Sequence, residues 1–235
     1  MQEGGHIAVT VLLPTYDEAD NIHGLTESIV AELPHGAELI VIDDNSPDYT
    51  WRVADELRQT VPCLRVLRRT CRRGVASAIA DGYSVSRGEA VIWMDADCSH
   101  PPTLIRPLLK SLLNHDVAVA SRYVDGGGDA RPLLRSAASR ILNMIAYYLL
   151  GTVRDYTSGY VAVRRNVLDH VKIAQNLPHG AYFIDWLYRV VKCGYSVTEV
   201  GYVNTDRIAG KSKVSGGVRT FLVYLKTIFA TRFSC

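Results

Sequence analysis

Three short apolar runs in this chain each end in a turn crowded with carboxylates, and that repeated pairing constrains the fold more than any other feature. Ile7–Leu13 runs into Pro14-Thr15-Tyr16-Asp17-Glu18, Glu38–Ile42 into Asp43-Asp44-Asn45-Ser46-Pro47-Asp48, and Glu89–Met94 into Asp95-Ala96-Asp97-Cys98-Ser99. Near-continuous apolar runs of this length read as strands buried on both faces. Between the first two, Ile22, Leu25, Ile29, Val30 and Leu33 recur at helical spacing. Strand, helix, strand predicts an α/β architecture, an open, mostly parallel sheet flanked by helices. In such sheets ligands bind beyond the carboxyl ends of the strands, so the three acidic turns converge on one crevice.

Leu64–Leu67 and Val117–Ala120 extend the strand series. Gly126-Gly127-Gly128 then breaks the pattern, and its place before a basic stretch predicts a mobile active-site loop. Leu133–Leu150 reads as a hydrophobic helix, Gly159–Val163 and Ser196–Val200 as further strands, and a helix is expected near Ile184–Val191. In the carboxyl-terminal stretch Val218 to Phe233, Val218, Phe221, Leu222, Leu225 and Phe229 share one helical face. Core packing and an interfacial membrane helix predict the same pattern. The division expected is one domain over 1–215 followed by an amphipathic helix over 216–235.

Asp95 and Asp97 are ionised near neutral pH and repel each other unless a cation or a shared proton lies between them. Hard oxygen ligands on a short loop suit Mg²⁺ or Mn²⁺, which keep waters and share their other positions with phosphates. Asp-x-Asp alone is weak evidence, because paired Asp residues often cap the helix after a strand. Capping also explains Asp43 and Asp48 singly, but it explains the convergent set poorly. Carboxylates beside Tyr16 suit the hydroxyls and N–H groups of a nucleoside. Asp155, just before Tyr156-Thr157-Ser158-Gly159, lies beside the bound ligand, orients a basic residue or caps a turn, with the cap favoured. Cys98 tempts a nucleophilic role, but without an evident base it reads as a small buried residue.

Composition narrows the field. With 235 residues, 48% hydrophobic and 21% charged, the chain is an ordinary globular protein. The net charge is +2, and the basic clusters Arg131 to Arg140, Arg164-Arg165 and Arg207 to Lys213 suggest local anionic ligands over a nucleic-acid surface. Five scattered cysteines without C-x-x-C indicate neither a disulfide framework nor a zinc site, which fits reduced cytoplasm. Met1 to His6 lacks the regions of a signal peptide. Ile141 to Val153, the longest apolar stretch, falls short of the ~20 residues of a spanning helix, so any membrane contact is expected from the side. A Walker-type loop and a GxGxxG are absent, which leaves an NTPase and a Rossmann dehydrogenase unsupported. Gly74 opens a small-residue helix suited to close packing under the sheet.

The segments LLPTYDEADNI, IDDNSPDYTW, WMDADCSHPP, ASRYVDGGG, SRILN, RDYTSGY and TDRIAGKSK, in this order, resemble the dolichol-phosphate mannose synthases and related polyprenyl-phosphate glycosyltransferases of glycosyltransferase family 2. The resemblance covers roughly residues 7 to 215. It implies a GT-A fold, a nucleotide-sugar donor, a polyprenyl or dolichyl phosphate acceptor at the cytoplasmic face of a membrane, and inversion at the anomeric carbon. By position, Pro14, Tyr16, Glu18, Ile42 and Asp44 would hold the nucleoside. Asp95, Ala96 and Asp97 would line the donor, with Asp97, Asp95 and Ser99 at Mg²⁺ or Mn²⁺. Arg122, Arg207 and Lys213 would bind phosphates, and Arg135 and Arg140 would assist with the acceptor phosphate.

The favoured reaction is mannose transfer from GDP-mannose. The alternatives are UDP-glucose or another nucleotide sugar, a non-lipid hydroxyl acceptor with Asp185 or Asp155 as base, and a non-catalytic nucleotide-sugar-binding subunit. A phosphate monoester acceptor is largely deprotonated at pH 7, so no strong base is required. Lipid access is expected by peripheral contact, directly or through a membrane subunit. Three positions depart from the family pattern: Ser99 replaces a longer polar residue, Val161 replaces a basic one after Thr157-Ser158-Gly159, and Asp185 replaces Glu.

Overall fold

A computed structural model describes residues 9–70, 74–178, 180–205 and 217–233. The elements follow in chain order as β1 (Val9–Thr15), α1 (Ala19–Glu32), β2 (Glu38–Asp43), α2 (Thr50–Leu57), β3 (Leu64–Arg68), α3 (Val75–Val85) and β4 (Ala90–Trp93). A single 3₁₀ turn, Pro102–Leu104, leads into α4 (Ile105–Ser111), β5 (Val117–Ser121), β6 (Gly128–Asp129) and α5 (Leu133–Leu150). The chain continues through β7 (Val161–Arg164), α6 (Arg165–His170), α7 (Ala181–Lys192), β8 (Val197–Gly201), β9 (Val203–Asn204) and α8 (Val218–Phe233). Seven strands form one sheet in the order β3-β2-β1-β4-β7-β5-β8, and β6 pairs with β9 in a small second sheet.

Side chains on a strand alternate between faces, and here both faces are covered. Leu12, Ile40, Ile42, Val91 and Trp93 pack with α3, α5, α7 and α8. Val11, Leu13, Leu39, Val41 and Ile92 pack with α1, α2 and α4. This double burial is why the strands read as unbroken apolar runs. Trp93 anchors the first core, its ring 5.1 Å from Trp186 and 6.5 Å from Phe183 in edge-on geometry. Truncating so large a core side chain costs about 3–5 kcal/mol. Gly82 lets α3 approach closely, since a Cβ there would sit 2.8 Å from Ile42 Cδ1.

One strand breaks the parallel pattern. β7 runs antiparallel to both β4 and β5, pairing Trp93 with Val161 and Val119 with Val161. The loop entering β7, Thr157-Ser158-Gly159, therefore lies at the same sheet edge as the turn leaving β4.

The Gly126–Gly128 segment, expected to be a mobile loop, is strapped in place. Gly128 and Ala130 donate backbone hydrogen bonds to Tyr202 and Asn204, each within 3.0 Å. A Cβ on Gly127 would meet the carbonyl oxygens of Ser121 and Arg122 at 2.8 Å. Gly127 serves close backbone packing, while Gly126 takes the left-handed conformation of the turn at φ 77°.

α8 divides the face expected of it. Tyr224, Phe221 and Leu225 pack inward around fully buried Ile228, against α5 and α7. Val218, Leu222, Phe229 and Phe233 remain exposed on the other side.

Candidate active site

A cleft of about 310 Å³ opens at the carboxyl edge of the sheet, between the ends of β1, β2 and β4, the loop before β7, and the starts of α3 and α7. Pro14, Tyr16, Glu18, Asp44, Asp95, Ala96 and Asp97 all line it. Three acidic turns thus meet, as the sequence pattern predicts.

Each turn has its own internal bracing. Asp43 is wholly buried, accepting hydrogen bonds from Thr15 Oγ1 at 2.9 Å and from Ser46 N at 2.8 Å. Asp48 accepts from Thr50 N at 3.0 Å and reaches Ala19 N at 2.9 Å, joining the start of α2 to α1. These two carboxylates build the turns, whereas Asp44 reaches the cleft. Asp44 Oδ1 accepts from Arg69 Nε at 2.6 Å and its Oδ2 from Gly74 N at 3.1 Å. Arg69 is 5% exposed and also donates to Ser77 and Asp81, so it fixes Asp44 from behind.

The turn after β4 is tighter still. Asp97 is 5% exposed, and one of its oxygens accepts from Ser99 N at 3.1 Å. Cys98 sits between them at φ 63°, a left-handed conformation that closes the turn. Burial, then the charges of Asp97 and Glu18, push its thiol up from the ordinary value, so it is held as the neutral thiol. Asp95 is exposed, and its backbone N–H donates to Nδ1 of His100 at 3.0 Å. That bond places the His100 ring proton on Nε2. His100 is 3% exposed and stacked on Tyr160 at 5.0 Å. Its burial pushes the imidazole down to about 4, so the ring is neutral at physiological pH.

Arg122 lies behind the cleft, its side chain 3% exposed. Asp155 grips it through Nε and Nη2 at 2.8 and 2.7 Å, and Thr157 Oγ1 accepts from Nη2 at 2.8 Å. Asp129 stands 3.8 Å from Nη1 and is itself paired with Arg131 at 2.6 Å. Burial alone would lower the Arg122 pKa, but Asp155 outweighs it and holds the guanidinium firmly charged. Asp155 therefore orients a basic residue and also makes a turn, accepting from Thr157 N at 3.2 Å.

Other expected site residues fall elsewhere. Ile42 is fully buried beneath α3 rather than in the cleft wall. Arg135 and Arg140 are exposed on α5. Ser99 is half-buried and contributes its N–H to the Asp97 turn. Arg207 and Lys213 lie outside the described residues. Asp185 is paired with Arg189 at 2.7 Å and does not line the cleft.

Residue types alone did not single out Tyr182, Phe183 or Tyr224, which wall the cleft from α7 and α8. Nor did they single out Arg69, whose only signal was a place in a basic run after β3.

Among the described lining residues there are four carboxylates, Glu18, Asp44, Asp95 and Asp97, and no cation. These carboxylates repel an anionic phosphate, and a divalent cation bound between them relieves that repulsion. No group of three or more His, Cys, Asp or Glu among the described residues forms an all-protein metal cage. Two carboxylates on one turn fit Mg²⁺ or Mn²⁺, which complete their coordination with water and phosphate.

The chain is similar to known proteins in sequence and in fold. The model of glycosyl transferase family 2 matches residues 10–172. A dolichol-phosphate mannosyltransferase of Pyrococcus furiosus is 35% identical over 228 residues, covering 94% of this chain and 62% of its own length. The chain thus spans under two thirds of that relative. A polyprenol monophosphomannose synthase of Mycolicibacterium smegmatis is 36% identical over 214 residues, covering 88% of this chain and 80% of its own. Among solved structures, a Pyrobaculum calidifontis mannosyltransferase in complex with GDP-Man and Mn²⁺ superposes with a TM-score of 0.67 at 19% identity. That superposition covers 97% of this chain and 64% of the other.

Proposed function

The chain belongs to glycosyl transferase family 2, and on that premise we propose that it is an inverting, divalent-metal-dependent glycosyltransferase that moves mannose from GDP-mannose onto a polyprenyl or dolichyl phosphate. The observation that carries this reading is the convergence of four carboxylates, Glu18, Asp44, Asp95 and Asp97, on one cleft at the carboxyl edge of the sheet. Such a site suits a divalent metal, whose remaining positions suit water and a diphosphate.

Asp97 and Asp95 would hold Mg²⁺ or Mn²⁺, with Ser99 closing the turn through its backbone. When bound, the metal stabilises the charge that develops on the departing nucleoside diphosphate. Pro14, Tyr16, Glu18 and Asp44 would seat the nucleoside, with Asp44 immobilised by Arg69. Arg122, Arg207 and Lys213 would supply positive charge so that two anionic phosphates can approach each other. Arg122 would act mainly through Thr157, the cleft residue to which it donates. Arg135 and Arg140, exposed on α5, would meet the acceptor phosphate.

Neither carboxylate that a neutral hydroxyl acceptor would need as its base is placed for that task. Asp155 is wholly buried under Arg122, and Asp185 is paired away from the cleft. A phosphate acceptor arrives already anionic, which supports the lipid-phosphate reading.

Among the described residues no helix is long and apolar enough to cross a membrane. α5 exposes Leu133, Leu134, Met144 and Tyr148, while neighbouring α8 exposes Val218, Leu222, Phe229 and Phe233. These faces would rest on the cytoplasmic surface of a membrane, alone or beside a membrane subunit.

The test is a donor competition. Purified protein receives Mg²⁺ or Mn²⁺, a polyprenyl phosphate in vesicles, and GDP-mannose, UDP-glucose and UDP-GlcNAc together. Lipid-linked mannose is the expected product, and absence of any lipid-linked sugar overturns the reading.

A further inference from the structure

Thr157 lines the cleft beside Ser158 and Gly159, and its hydroxyl oxygen accepts two strong hydrogen bonds from behind. One comes from Arg122 Nη2 at 2.8 Å, the other from Asn143 Nδ2 at 2.7 Å. Asn143 is 2% exposed on the inner face of α5, and its amide can point only one way. Its Oδ1 accepts from Tyr156 N at 2.7 Å, while Nδ2 also donates to the Ser139 carbonyl at 2.9 Å. Turning the amide over would oppose oxygen to oxygen and N–H to N–H. The guanidinium is equally fixed, by both oxygens of Asp155.

A hydroxyl has two lone pairs and one proton. Both lone pairs of Thr157 face groups that can only donate, so the proton must be given elsewhere. Among the described residues its acceptors are Asp155 Oδ1 and Ser139 Oγ, each at 3.5 Å, the outer limit of a hydrogen bond. A better acceptor would lie in the cleft. Resting on the glycosyl-transfer reading, we propose that Thr157 is a substrate-contacting donor whose proton meets an anionic phosphate oxygen, and that Asn143 is the positioning residue that fixes this polarity. Among the described lining residues the charged groups only accept, and a donor held in one polarity beside them favours the ligand's phosphate oxygens. That oxygen belongs either to the sugar-donor diphosphate or to the acceptor phosphate.

Four variants of the full chain test the assignment: T157V, T157S, N143D and the double variant T157V/N143D. Each is measured for kcat and KM with both substrates, and for calorimetric binding of GDP with Mg²⁺ and of a polyprenyl phosphate. T157V removes the hydroxyl at nearly constant shape and is expected to lower kcat/KM roughly 10- to 100-fold, the scale of one hydrogen bond to a charged group. T157S returns the hydroxyl and recovers most of that loss. N143D puts a carboxylate oxygen where the amide donated, which draws the Thr157 proton inward and should imitate T157V. Because both act on one proton, the double variant should be no worse than the poorer single variant within about threefold.

A purely structural role for Asn143 predicts instead that N143D lowers thermal stability without weakening binding of the ligand that T157V weakens, which overturns its assignment. Weakened GDP binding in T157V assigns the oxygen to the donor, and a raised KM for polyprenyl phosphate alone assigns it to the acceptor. Wild-type kcat/KM in T157V, or equal losses in T157V and T157S, overturns the proposal. Should the wild type transfer no sugar at all, the functional reading falls separately. Unchanged affinity of T157V for both ligands would still sink the Thr157 assignment.

Discussion

Asp155 and Arg122 form a fully buried, two-point ion pair, 33 positions apart in sequence, that joins the end of β5 to the loop before β7. A buried charge that loses its partner is costly, because the remaining group has neither water nor a counter-ion. Asp155→Asn is expected to destabilise the protein by about 3–5 kcal/mol, softened by the nearby Asp129 carboxylate. Replacing both members with apolar residues should be less damaging than Asp155→Asn alone. Urea denaturation of the two variants checks the order, and the opposite ranking would show that the pair is not self-contained.

The turn after β4 separates two neighbouring residues by role. Asp97→Ala is expected to reduce transfer by about 10²–10³-fold, the scale of losing a main electrostatic contact to developing charge. Cys98→Ala should stay within about threefold of wild type, since the thiol is neutral and no base activates it. Initial rates at saturating metal decide the matter, and equal losses would mean that Cys98 takes part in the reaction.

His100 gives stability a pH dependence of known sign. Its pKa falls from an ordinary 6.5 to about 4 because the ring is buried. Above pH 6.5 the ring is neutral in both folded and unfolded chains, so its contribution is complete. As pH falls from 6.5 towards 4 the unfolded chain binds a proton that the folded one refuses, and stability drops by about 1.4 kcal/mol per unit. Glu199, whose carboxyl is pushed up by burial, acts in the opposite direction at the acid end of this window. Thermal melts of metal-free protein between pH 6.5 and 4.5 should therefore show a falling midpoint that flattens in His100→Asn. An unchanged slope in that variant would assign the effect to another group.

The exposed apolar faces of α5 and α8 can be tested without disturbing the core. Removing α8 would also remove Ile228 from the interior, so truncation confuses anchoring with folding. Leu134→Glu, at 86% exposure, together with Phe229→Glu, at 45%, leaves the inner face of each helix intact. Sedimentation with anionic vesicles should show binding weakened about tenfold or more, while nucleotide binding is kept. Undiminished vesicle binding would remove these faces from the membrane proposal.

Much of this architecture was legible because buried parallel strands advertise themselves as apolar runs with polar ends. The bounds of α5, Leu133–Leu150, follow its hydrophobic pattern, and the three acidic turns meet where strand order places them. The antiparallel direction of β7 was hidden, since alternation of side chains is the same in either direction. Arg122 reads as a solvated cation in isolation; its burial depends on Asp155, which only the folded sheet brings near. The α8 pattern could not decide between core packing and lipid contact, because both use the same residue types; Phe221 and Leu225 pack inward while Leu222 and Phe229 are exposed. Asn143 was hidden within a motif whose arginine drew attention first.

The reversed strand has one further consequence. Because β7 enters the sheet from the edge where the others leave it, the segment between α5 and β7 faces the cleft without belonging to the three acidic turns. Its side chains reach the cleft from a strand bonded to β4 and β5 and not to β1 or β2, the strands that end in two of the acidic turns, so one cavity is walled from separately hydrogen-bonded parts of the sheet.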